Sequence, residues 1–144
     1  MALVVVGVDG SEGSQPALRF AAEEAALRNA RLLVVCAWEV PSSLYAGLLS
    51  DDVVIAAENS AKDIAAKALS QVVHLQPGID REAGTPRGPA AEVLVRESAD
   101  ADLLVIGSSG HSGFAKLLPR SVSQQCAQHA SCPVAIVPQQ AGET

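Results

Sequence analysis

The sequence predicts an α/β fold in which a parallel sheet is covered by helices on both faces. Near-continuous apolar runs, such as "ALVVVGV" (2–8) and "DLLVIG" (102–107), are typical of strands buried on both sides. Segments with helix-start signals separate these runs, so that strands and helices alternate along the chain. With 144 residues and no internal linker, the chain is expected to form one domain, residues 1–144.

Five strands and four helices are expected, each from a local pattern. The strands are predicted at residues 2–8, 31–38, 79–83, 102–107 and 133–138, and the third alternates weakly, as an edge strand does. The helices are predicted at residues 14–30, 51–76, 90–99 and 121–130. The residues that indicate where these helices begin are Ser14 and Ser121 as caps, Pro16 and Asp51 in first turns, and Pro89 as an entry residue.

Composition excludes several classes of function. Apolar residues make up 49% of the chain and aromatic residues 3%, which favours an aliphatic core and opposes stacking on nucleic-acid bases. The net charge of −6 likewise opposes binding to nucleic acid or to an anionic membrane. The N-terminal segment has no basic region before its short apolar run, so a cytoplasmic protein is expected.

Three cysteines, an odd number, are typical of a reducing compartment. Cys126, His129 and Cys132 lie three residues apart, which raises the alternative of a metal site. That spacing drifts around a helix and lacks a second close pair, so we expect buried thiols and no metal site.

Two strand ends are built alike. "VVVGVDGSEGS" and "LLVIGSSGHSG" each run from a strand into glycines at every third position. In an open parallel sheet, ligands bind outside the carboxyl ends of the strands, where the strand order reverses. If the first and fourth strands are neighbours, as in the order 3-2-1-4-5, these two loops face one crevice.

The second loop and the helix after it resemble an anion site. Glycines at 107 and 110 let backbone N–H groups approach a phosphate, and a helix that opens at Ser121 offers free N–H groups and a positive dipole end. The alternative is that the glycines only turn the chain and Ser121 only caps the helix. Asp9 has two interpretations as well, as a helix cap or as a ligand contact at the first strand's end.

Nearly the whole chain resembles the universal stress protein family. The similarity lies in "VVVGVDGSEGSQPAL", "GTPRGPAAEVLVRESADADLLVIGSSGHSGF" and "SVSQQCAQHASCPVAIV", in this order. The resemblance implies a Rossmann-like, adenine nucleotide alpha hydrolase-like sheet of order 3-2-1-4-5. It also implies a homodimer paired through the last strand, residues 133–138, which on its own pattern is an apolar edge.

ATP-binding members of that family carry the motif Gly-x2-Gly-x9-Gly-Ser/Thr. Here the motif supplies Gly107, Gly110 and Ser121, whereas Arg120 stands in place of the third glycine. The resemblance implies ATP, AMP or ADP as ligand, with Mg²⁺ accompanying the nucleotide. By the same resemblance, Val8 and Asp9 lie at the adenine, Ala37 offers it backbone groups, and the other nucleotide-binding residues are Gly10, Ser11, Ile106, Gly107, Gly110, Ser121 and Val122.

Arg120 has three interpretations. In the first, the backbone is forced to positive φ and the Cβ crowds the phosphates. In the second, the guanidinium adds a phosphate contact. In the third, the side chain faces solvent. We predict the phosphate-holding role, since Arg120 directly precedes Ser121. Trp38, at the end of the second strand, is expected to pack near the crevice.

The predicted function is a nucleotide-binding regulator or sensor of the stress response and not an enzyme with rapid turnover. Neither a nucleophile beside a general base nor a P-loop lysine is recognisable, although slow ATP hydrolysis or autophosphorylation at a loop serine stays open. The alternative is a dimeric scaffold that acts through protein contacts without nucleotide, for which Arg120 argues. A phosphoacceptor receiver domain should have clustered acids after its first strand and a lysine at its last, whereas this chain has only Asp9 and no lysine in "PVAIVP". The glycine spacing does not fit an NAD enzyme.

Overall fold

The fold is an open sheet of five strands, and the helices that connect the strands pack on its two faces. The computed structural model describes residues 2–40, 51–108 and 119–139, with side chains in the last range from Val122 onward. The strands are Leu3–Gly7 (β1), Arg31–Val35 (β2), Arg81–Gly84 (β3), Leu103–Gly107 (β4) and Val134–Val137 (β5). The helices are Ser14–Arg28 (α1), Asp51–Leu75 (α2), Ala90–Glu97 (α3) and Pro119–His129 (α4).

The strand order β3-β2-β1-β4-β5 confirms the predicted topology. All four strand pairs are parallel, and β1 lies between β2 and β4. Side chains of β1 alternate between two apolar clusters: Val4 and Val6 pack with α1 and α2, and Val5 packs with α3 and α4. The sheet is therefore buried on both faces, and its carboxyl edge, where β1 and β4 end, is left to the loops.

Several element boundaries differ from the predicted ones, and three of the differences lie at the carboxyl edge of the sheet. The strand β2 ends at Val35 and not at residue 38, and α4 begins at Pro119, two residues before Ser121. Ser14 is the first residue of α1 and not its cap, because the cap position is taken by Gly13. The Ser14 hydroxyl instead donates to the carbonyl of Ser11 at 2.9 Å, which ties the helix to the loop before it.

The helix α2 is longer than the sheet is high. Its 25 residues span about 37 Å, whereas a five-residue strand spans about 17 Å. The buried side chains of α2 are Ala61, Ala65, Ala68 and Val72, and none of residues 51–60 is buried. Because α2 runs from the carboxyl edge of the sheet back to its amino edge, residues 51–60 extend past the carboxyl edge. None of the helices in the described ranges is long and apolar enough to cross a membrane.

Candidate nucleotide site at the carboxyl edge

The ends of β1 and β4 meet at the carboxyl edge of the sheet, as the predicted strand order requires. A Cβ placed on Gly107, the last residue of β4, would lie 2.6 Å from the carbonyl oxygen of Gly13. Any side chain at position 107 would therefore collide with the loop that joins β1 to α1, residues 8–13, which we call the first loop. Glycine is needed here for close approach of two backbones.

Within the first loop, Asp9 holds the chain in a turn. Its Oδ1 accepts a hydrogen bond from the Ser11 N–H at 2.9 Å and a second one from the Ser11 hydroxyl. Gly10 between them has φ of +83°, in the region that favours glycine. The Asp9 carboxylate therefore stabilises the turn of the first loop and does not cap the N-terminus of α1. Asp9 is exposed and lies at the end of β1.

The negative charge of Asp9 affects the buried thiol of Cys36 in the core. Burial first, and the Asp9 carboxylate second, raise the pKa of the Cys36 thiol to about 11. Cys36 is only 3% exposed, and its neighbour Val8 is buried in the same apolar cluster. The Asp9 carboxylate thus lies next to buried apolar residues, near the point where β1 and β2 separate.

Past the end of β2, Cys36 and Trp38 still form backbone hydrogen bonds on the side of β3. The Cys36 N–H donates to the carbonyl of Gly84 at 3.1 Å, and the Trp38 N–H donates to the carbonyl of Pro86 at 3.3 Å. In a strand, successive residues direct their N–H and C=O groups to opposite sides. Ala37, between these two residues, therefore directs both groups toward the β1 side.

On the β1 side, the ladder stops before it reaches Ala37. The Val8 N–H donates to the Val35 carbonyl at 3.0 Å, and β1 then turns away through Gly10. In the parts of the chain that the structure describes, the N–H and C=O of Ala37 form no backbone hydrogen bond. The Ala37 methyl group packs on the apolar cluster under α3 and α4, so the backbone edge is held in place, and neither its donor nor its acceptor has a backbone partner within residues 2–40, 51–108 and 119–139.

On the other side of the crevice, α4 begins at the carboxyl edge. Arg120 is the second residue of this helix, and among the described residues Asn29 is the only non-glycine with positive φ. The interpretation in which Arg120 is forced to positive φ is therefore wrong, because its backbone is helical. The side chains of Arg120 and Ser121, and the whole of Gly110, lie outside the described part of the chain.

The remaining predicted residues lie beneath the crevice. Ile106 is 3% exposed and Val122 is half-buried, and both belong to the apolar cluster under α3 and α4. Val8 and Gly10 also line a cavity of about 200 Å³ between α1 and α2. The cavity's other walls come from the two helices, with Leu18 and Ala68 among them.

Sequence reasoning missed one part of this edge. Residues 84–89, which we call the strap, run beside the end of β2, and Trp38 is joined to Arg87 of the strap by a parallel bridge. The segment "GTPRGP" is recognisable as a turn, but nothing in it indicates which strand it follows. The pairing depends on β2 and β3 being neighbours, and that is a property of the fold.

The family model of the universal stress protein family matches residues 2–138. The chain belongs to the universal stress protein family. A curated relative, universal stress protein Rv2623 of Mycobacterium tuberculosis, is 35% identical over 134 residues, which cover 92% of this chain and 44% of the relative. This universal stress protein chain therefore spans less than half the length of that relative.

Solved universal stress proteins share its fold. One, a complex with cAMP, has a TM-score of 0.70 and 28% identity, and the match covers 94% of this chain and 96% of the other. Another, from Archaeoglobus fulgidus in complex with dAMP, has a TM-score of 0.65 and 27% identity over 95% and 97% of the two chains. Both neighbours thus hold an adenine nucleotide.

Proposed function

We propose that this universal stress protein binds an adenine nucleotide at the carboxyl edge of its sheet, and that this binding serves a regulatory or sensory role in a stress response. The observation that carries the proposal is the open backbone edge of Ala37. It presents one donor and one acceptor side by side, at the point where β1 and β2 separate.

The chemistry of this edge favours adenine over guanine. Adenine offers a ring nitrogen that accepts a hydrogen bond beside an amino group that donates one, which complements an N–H beside a C=O. Guanine has the O6 acceptor at the position of that amino group, so the Ala37 carbonyl would face another acceptor. An unmade hydrogen bond of this kind costs about 1–3 kcal/mol.

The phosphates are assigned to the other side of the crevice. The N-terminus of α4 lies there with free N–H groups and the positive end of the helix dipole, and Arg120 lies in its first turn. We propose ATP as ligand, with Mg²⁺ entering on the phosphate oxygens that it prefers. Asp9, whose carboxylate is already bonded to Ser11, is assigned to the adenine end and not to the metal.

We further propose a homodimer paired through β5. This strand is the sheet edge, and Ile136 on it is 43% exposed. An apolar strand edge without a partner favours pairing with a second copy. The same observation supports the second candidate function, a dimeric scaffold that needs no nucleotide.

Thermal unfolding with ATP, AMP, cAMP and GTP, each with Mg²⁺, tests the proposal. A ligand that binds only the folded state stabilises it by about 2.7 kcal/mol at 100 times its Kd. We expect all three adenine nucleotides to raise the melting temperature at millimolar concentration and GTP to do so much less. If no adenine nucleotide raises it, the scaffold function is favoured; equal shifts with GTP would contradict adenine recognition at Ala37.

A further inference from the structure

Among the described residues, backbone hydrogen bonds hold the end of β2 from one side only. Past Val35, the first loop has turned away, and the hydrogen bonds described for residues 36–38 go to the strap and to Gly84 at its start. Besides the two N–H donors already described, the Gly88 N–H donates to the carbonyl of Trp38 at 2.8 Å. The position of Ala37 therefore depends on the strap.

Side chains strengthen this attachment. The Trp38 indole Nε1–H donates to the carbonyl of Thr85 at 2.9 Å, and the guanidinium carbon of Arg87 lies 5.3 Å from the centroid of the indole ring. That distance is within the range of a cation–π interaction. Trp38 is half-buried against the apolar cluster of α1 and α2, so the ring is a fixed platform for the cation.

Arg87 has no competing partner among the described residues. The salt bridges found there join other side chains, for example Arg28 with Glu24 and Arg96 with Glu97. Arg87 is exposed, and its guanidinium lies over the indole face of Trp38. Neither the fold nor the apolar core requires an arginine at this point.

We infer that Arg87 and Trp38 are positioning residues for the base: stacked on each other, they clamp the strap to the end of β2 and so fix the Ala37 N–H and C=O that receive adenine. This inference rests on the proposed function. Arg87 acts through the strap and Ala37 and is assigned no contact with the ligand. The ligand chemistry concerned is the nucleobase, so the phosphates are not part of the effect.

Titration calorimetry with adenosine isolates this effect, since adenosine has the base and lacks the phosphates. The variants are Arg87→Ala and Arg87→Lys, with Arg96→Ala as a matched control, an exposed arginine on α3. Arg87→Ala is expected to weaken adenosine binding about two- to five-fold, the range of an exposed cation–π contact. Arg87→Lys, which keeps a cation, should restore most of the affinity, and Arg96→Ala should change nothing.

Two further measurements separate positioning from a merely structural role. Trp38 is the single tryptophan, so its fluorescence reports the loss of the stacked cation in Arg87→Ala without ligand. Amide hydrogen exchange of Trp38 and Gly88 should become faster in that variant. The melting temperature should fall by no more than about 3 °C, the shift that corresponds to about 1 kcal/mol in a chain of this length.

The outcomes distinguish the two proposals. If the wild type binds adenosine and Arg87→Ala binds it equally well, the positioning role is wrong and the proposed function stands. If Arg87→Ala and Arg87→Lys lose affinity equally, the cation is not what acts, and the inference is again overturned. If the wild type binds neither adenosine nor ATP, the proposed function fails and the positioning role fails with it.

Discussion

Replacing Gly107 by alanine tests the contact between the ends of β1 and β4. The new Cβ would lie 2.6 Å from the Gly13 carbonyl oxygen and 3.3 Å from its carbon. Both atoms belong to the backbone, so no side-chain rotation relieves the clash, and the first loop has to move away from β4. Overpacking of this kind costs about 1–3 kcal/mol.

The cost corresponds to a measurable shift in melting. Globular proteins unfold with about 2.1 cal/mol/K of entropy per residue, so 1 kcal/mol corresponds to about 3 °C in a chain of this length. Gly107→Ala is therefore expected to lower the melting temperature by about 3–10 °C in calorimetry or circular dichroism. Adenosine binding should weaken with it, because the first loop forms one wall of the crevice.

Gly84→Ala is the matched control, also at the carboxyl end of a strand. A Cβ on Gly84 meets nothing within 4 Å. Removing a glycine from the unfolded chain then stabilises the protein by about 0.4–1 kcal/mol. If the two variants melt at the same temperature, the reasoning about the contact between Gly107 and Gly13 is refuted.

Three other expectations concern the edge strand, a buried thiol and the α4 N-terminus. Ile136→Asp should give a monomer by light scattering, whereas Leu27→Asp, at an 81% exposed position on α1, should leave the dimer intact; a monomeric wild type at micromolar concentration would contradict this. Because the pKa of Cys36 is raised from 9.0 to about 11, the folded state holds this proton more tightly than the unfolded state does. The resulting stability, about 2–3 kcal/mol, is complete below pH 9 and is lost between pH 9 and 11. The free energy of unfolding of Cys36→Ala, measured in urea at each pH, should fall less steeply over this range, and an equal fall in the two proteins would speak against the prediction. Arg120→Gly should weaken ATP binding about 10- to 150-fold, because a charge-assisted hydrogen bond is lost, and should weaken adenosine binding much less. Calorimetric titration measures both affinities, and equal or tighter ATP binding would show that Arg120 does not hold phosphate.

The fold was readable from the sequence because four of the five strands are apolar runs between helix signals, and the fifth, β3, alternates weakly as an edge strand does. The error at β2 has a physical cause. The apolar run continues through Cys36 to Trp38, but β1 has turned away by Gly10, and on the other side the regular pairing with β3 ends at Gly84, beyond which Trp38 forms an isolated bridge with Arg87. At α4, serine is a strong cap residue, and the sequence does not reveal that proline already occupies the first helical position, where its missing N–H costs nothing.

The candidate site was partly readable. Glycines after two strands predicted that two loops meet; the end of β4 at Gly107 lies against Gly13 of the first loop, and residues 109–118 of the second loop lie outside the described residues. The open edge at Ala37 had no signal in the local residue pattern, since it arises from where β1 turns, and only the family resemblance indicated it. The stacking of Arg87 on Trp38 joins residues 49 positions apart in the chain, a pairing that only the neighbouring positions of β2 and β3 create.

The overhang of α2 divides one helix into two regions of different local stability. Residues 61–72 are fixed by burial, whereas residues 51–60 depend on local interactions such as the Lys62–Glu58 ion pair and the acids of the first turn. Helical segments this short are marginal without packing. Amides of residues 51–60 should therefore exchange with solvent through local fraying, well before those of residues 61–72, and the part of α2 beside the crevice can open at little free-energy cost while the sheet stays folded.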